Sequence, residues 1–190
     1  MLTDREASHL VLAYIEQASS EREAYAVQSC CLSEQEDYWV VRANSADYVL
    51  RGDASRCYVG VKAYLVDART GAIEIVGSGQ SVDSYLQDKY DLREAAGRHY
   101  VLHADFPPSD KRAIVRLRQV LECTVQRARE LSEGGRPWLT GVRADLLRAQ
   151  ELFRQREVAT SIALVDEPLD ARLMSGRILF WDPLRKVLRD

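Results

Sequence analysis

The chain has 190 residues, 46% apolar and 29% charged, with a formal net charge of −3, an ordinary balance for a folded domain that leaves no room for a disordered or fibrous reading. The opening "MLTDREASHLVLAYIEQ" lacks the basic start and long apolar core of a secretory signal, and no stretch approaches the roughly 18 apolar residues of a membrane helix, so a cytoplasmic protein with no membrane partner is expected. Charge is uneven along the chain: residues 1–104 hold 16 acidic against 10 basic side chains, and residues 105–190 hold 13 against 16, a split that suggests two units and a basic protein partner for the first, rather than nucleic acid.

In chain order, Thr3 and Glu6 form a T-x-x-E capping box, and Ala7, Leu10, Val11, Tyr14, Ile15 and Ala18 follow with helical spacing, which predicts a first helix with one buried face. The texture then turns to β: "AYAVQSCCLS", "YWVVRANS" and "DYVLRG" are short, rich in β-branched and aromatic residues, and read as antiparallel strands. "VKAYLVD" and "AIEIVGS" form a further pair around Asp67-Ala68-Arg69-Thr70-Gly71, where Asp67 suits a carboxylate folded onto turn amides and Gly71 a positive φ. Ser81 caps a helix with Val82, Tyr85 and Leu86 inward.

The double proline in "FPPSDK", residues 106–111, marks a boundary, and Ser109 or Asp110 caps the helix "DKRAIVRLRQVLE". That helix sets Ala113, Ile114, Leu117, Val120 and Leu121 against a basic face of Lys111, Arg112, Arg116 and Arg118. A second helix restarts at Thr124, "WLTG" is a short strand, "RADLLRAQELFRQRE" a third helix and "ATSIALVD" a buried strand, with "HYVLHADF" as the strand before the set. In the tail, Ile178-Leu179-Phe180-Trp181 has the look of a short strand. The expected fold is α+β, two small domains of helices on short, mostly antiparallel sheets: residues 1–104, residues 105–167, and a tail over 168–190.

The phrase "YLVDARTGAIEIVGSGQSVDSYLQDKY", residues 64–90, with the N-terminal helix and β-rich middle before it, resembles the YrhB-like immunity protein family (immunity protein 35). That resemblance implies a small α+β domain that binds and neutralises a cognate bacterial polymorphic or secretion-system toxin without chemistry of its own; one branch of the family is chaperone-like. The back half is similar in element order to the C-terminal domain of the ribosomal stalk protein. There a basic helix face contacts translation factors, which maps onto Lys111, Arg112, Arg116 and Arg118 with Arg127 and Arg129. Glu122-Cys123-Thr124-Val125 replaces that family's glycine-rich turn, so the fold is carried over and the factor-binding role is not.

Residues with chemical potential have simpler readings. Cys30, Cys31, Cys57 and Cys123 show no CxxC spacing and are expected to be reduced and mostly buried. None opens a helix or follows a glycine-rich loop that would activate a thiolate for His9, His99 or His103 to serve. His99 and His103 share a strand face without a third metal ligand; Asp67 and Ser78 suit turn roles; and "GSG", residues 77–79, lacks the phosphate-cradling motif. No catalytic, cofactor-binding or metal-ligating residue is therefore assigned. The acidic positions carry the functional expectation. Glu34, Glu36, Asp37, Asp47, Asp83 and Asp88 are read as a partner-binding surface with Tyr38, Trp39 and Tyr48 as candidate anchors, and Asp91 and Glu94 stud the same helix as Asp83 and Asp88. The leading expectation is a non-enzymatic immunity protein bound to a cognate toxin; a chaperone-like or translation-associated module is the alternative, and the oligomeric state stays open.

Overall fold

A computed structural model describes residues 1–19, 23–174 and 180–189. The fold is α+β, with two four-stranded sheets in two compact units, Met1–Leu86 and Gln87–Asp190.

The first unit opens with α1 (Asp4–Ala18), whose capping box is complete: the Thr3 side chain accepts from the Glu6 amide while the Glu6 carboxylate accepts from the Thr3 amide. Strands β1 (Tyr25–Leu32), β2 (Tyr38–Ser45), β3 (Val61–Asp67) and β4 (Ile73–Gly77) form an antiparallel sheet in that spatial order. Period-two alternation divides the strands between its faces. Val41, Tyr64 and Val66 pack with Ala7, Val11 and Ile15 of α1, and Tyr38, Val40, Ala63, Leu65 and Val76 are buried on the other face. Val82 and Leu86 at the start of α3 (Val82–Ala95) are buried, and the Tyr85 hydroxyl donates to Glu74 on β4.

"DYVLRG" is not a strand. Ala46–Arg51 form α2, followed by a 3-10 turn at Ala54–Arg56. Ser45 accepts from the Tyr48 amide as N-cap, and Gly52 closes the helix in the left-handed region at φ 75°, so local capping outweighs the β-propensity of Tyr48 and Val49.

In the second unit, β5 (His99–Ala104), α4 (Lys111–Leu121), α5 (Val125–Ser132), β6 (Pro137–Thr140), α6 (Arg143–Arg154) and β7 (Thr160–Val165) follow in the expected order, with Asp110 and Thr124 as helix caps. The sheet order is β7-β5-β6-β8, where β8 is the two-residue Arg172–Leu173, parallel to β6.

Two boundaries differ from expectation. The division falls between Leu86 and Gln87 rather than after residue 104, because β5 is hydrogen-bonded to both β6 and β7 and its Tyr100 and Leu102 lie in the second core. The described residues of 168–190 are not a separate tail. Met174, Leu184 and Leu188 are buried in that same core, the last two on α7 (Trp181–Arg189). Of the strand-like tetrapeptide, Ile178 and Leu179 lie outside the described residues and Trp181 begins a helix, its ring edge-on to Phe153 and under the Arg156 guanidinium at 3.9 Å.

Candidate functional site

The β1–β2 turn is built by Ser33: its amide donates to Tyr38 O, its hydroxyl accepts from the Tyr38 amide, and the same hydroxyl donates to Asp37 at 2.9 Å. Glu34 and Glu36 are held outward by that closure, Glu36 at a positive φ of 58°. Register brings other carboxylates to this end of the sheet. Tyr38 pairs with Asp67, the Ala68 amide donates to Asp37 O, and the Leu2 amide donates to Ala68 O. Asp67, Asp4 and Glu6 therefore join Glu34, Glu36 and Asp37, with Arg5 and Arg69 as the cations on these segments. Beside them Leu2, Arg5, Glu6, His9 and Leu10 line a shallow groove of about 390 Å³.

Two of these carboxyls are lowered from their ordinary values: Asp67 by the amides of Thr70 and Arg69, and Glu6 by the Thr3 amide and hydroxyl.

The structure brings together only part of the expected set. Tyr38 is 5% exposed and belongs to the interior, not the surface. Trp39 is half-buried against the α1 core, its indole N–H donating to Leu2 O at 2.9 Å, which ties the N-terminal segment to the sheet. Asp47 follows β2 at its other end, about 25 Å of strand away at ~3.3 Å per residue, and is paired with Arg51 at 2.8 Å. Asp83 is exposed in the first turn of α3, after β4 ends opposite Val61, again at the far end. Asp88 is half-buried in the second unit. The sequence reading missed Asp4, Glu6 and Asp67 as surface partners. Its capping box and its Asp67 turn had already located them, and a strand register would have joined them to Glu34.

The cysteines are not mostly buried as expected: Cys31 is exposed and Cys30, Cys57 and Cys123 are half-buried. Burial pushes the Cys30 and Cys123 thiols up, which disfavours the thiolate. His103 Nδ1 lies 2.9 Å from Ala104 O, with its ring beside the Ser161 hydroxyl. Among the described residues no three His, Cys, Asp or Glu gather at metal-holding distance. On the basic helices, Arg116 donates to Arg156 O and pairs with Glu157, and Arg127 donates to Leu188 O. Lys111, Arg112, Arg118 and Arg129 are exposed.

Among the described residues no helix is long and apolar enough to cross a membrane. Compared with known proteins, the chain matches no protein-family model, no curated protein and no solved structure.

Proposed function

We propose that this chain is an immunity protein, a cytoplasmic antitoxin that binds a cognate bacterial toxin and blocks it without catalysis. The observation that carries the reading is the acidic end of the first sheet, where Asp4, Glu6, Glu34, Glu36, Asp37 and Asp67 converge beside the Leu2–Leu10 groove. Enzymes that act on polyanionic substrates carry basic clefts, and a fixed carboxylate cluster competes for such a cleft through long-range attraction while apolar contacts hold the complex. The resemblance of residues 64–90 to immunity proteins supports the same reading.

The test is co-expression with the product of the neighbouring toxin gene. Rescue of growth and co-purification are expected, with an association rate that falls as salt rises from about 0.05 to 0.5 M. Replacing Glu34 and Glu36 together by lysine slows association roughly fivefold while changing dissociation little. If neither rescue nor co-purification occurs, the reading is wrong.

A chaperone-like reading has one observation in its favour. Leu50, Tyr58, Val59 and Val61 are exposed around the loop that enters β3, Val59 at 91%, and exposed apolar residues of this kind bind unfolded chains. It predicts that the protein suppresses aggregation of unrelated clients with no dependence on one partner.

A further inference from the structure

The second unit contains a cleft of about 460 Å³ that the proposed toxin-binding role does not use. Leu92, Ala95, Val142, Pro168 and Leu173 supply its apolar lining, and two of these are far more exposed than aliphatic side chains usually are, Leu92 at 69% and Leu173 at 70%. Its polar lining centres on Asp91 and Arg143. The Asp91 side chain is only 4% exposed, and its Oδ1 accepts from the Gln87 side-chain amide at 2.9 Å and from one Arg143 N–H at 3.3 Å. A guanidinium has five N–H donors; among the described residues this one makes a single long contact, to Asp91, and its side chain stays 38% exposed in the cleft wall. Arg98 adds a second cation to the lining and His99 a polar ring, and Asp88 is the other acid there.

We propose that this cleft binds an apolar carboxylate, the carboxylate on the spare N–H groups of Arg143 and the aliphatic part against Leu92, Val142 and Leu173. Guanidinium pairs with carboxylate through two parallel hydrogen bonds, and a concave apolar wall with a few fixed polar groups is the usual form of a small-ligand site. Two sources have this chemistry, a free medium-chain fatty acid and the C-terminal residue of an apolar peptide.

The test titrates the full chain, observed by amide NMR, with octanoate, octylammonium, acetyl-Leu-Leu acid and acetyl-Leu-Leu amide. Saturable shifts at Leu92, Val142, Arg143 and Leu173 with one or both acids, and none with octylammonium or the amide, are expected. Octanoate alone points to a free amphiphile, and the peptide acid alone to a chain terminus. Arg143→Gln weakens acid binding about tenfold or more. Because that change also strips a buried carboxylate of its cation, Leu173→Glu is the companion variant: it sits on an exposed strand and places a like charge at the mouth, with the same direction of effect. Equal binding of octylammonium, shifts elsewhere in the chain, or acid binding unaltered by Leu173→Glu would overturn the assignment, as would the absence of acid-induced shifts at millimolar ligand.

Discussion

One carboxylate oxygen of Asp67 closes the β3–β4 turn, accepting from the Arg69 amide at 2.9 Å and the Thr70 amide at 2.8 Å, while Gly71 takes the left-handed φ of 74° that the turn needs. The two amides lower the Asp67 pKa from its ordinary 3.8. A carboxyl depressed in the folded state contributes stability that is complete above the unfolded value and is lost as pH falls through the folded one. Asp67→Ala should therefore cost about 1 kcal/mol near pH 7 by urea unfolding, with the difference from the parent shrinking as pH falls below the ordinary 3.8. A penalty that persists undiminished at pH 2 would show that the charge of Asp67 is irrelevant to the turn. Gly71 has a second constraint, since a Cβ there would stand 3.2 Å from Leu10 Cδ1, so this turn is fitted to the α1 face as well as closed on itself.

At the scale of elements, α2 and the loop after it form one capped insertion between β2 and β3. Ser45 is fully buried, and its hydroxyl both accepts from the Tyr48 amide and donates to Arg56 O at 2.7 Å. Ser45→Ala removes the cap and orphans two backbone groups, an expected loss of about 1–2 kcal/mol in denaturant unfolding. Gly52→Ala meets no atom within 4 Å, so its cost of about 1 kcal/mol comes from backbone conformation alone. Should Ser45→Ala prove neutral while Gly52→Ala destabilises, the helix would depend on its C-terminal cap only. The insertion also explains the exposed apolar segment, because the Asn44 side chain holds Tyr58 from both sides, donating to its carbonyl and accepting from its amide.

At the scale of the molecule, charge and core divide along the same line. Residues 1–86 hold 13 acidic and 7 basic side chains, so the acidic character resides wholly in the first unit. The second unit closes its core with the end of the chain: Leu184 and Leu188 are buried among Leu117, Leu121, Leu131 and Trp138, Arg127 donates to Leu188 O, and Arg185 pairs with Glu122. Leu184→Ala should cost about 2–5 kcal/mol by chemical denaturation, the usual range for a buried leucine. A change under about 0.5 kcal/mol, the surface value, would mean that α7 is an appendage.

Local signals determined much of this protein from the sequence alone. The Thr3–Glu6 box, the Asp67–Gly71 turn, the Ser81, Asp110 and Thr124 caps and the apolar spacing of α1 and α4 are interactions within a few residues, and such interactions are written in order along the chain. Long-range register was decided only by the tertiary structure. It assigned β5 to the second unit and placed α7 in the second core. It buried Tyr38, separated Asp47 and Asp83 from Glu34, and drew Asp4, Glu6 and Asp67 into the acidic end. The physical reason is that strand pairing and core closure join residues tens of positions apart, where propensity and capping carry no information and only the mutual burial of apolar faces selects a partner.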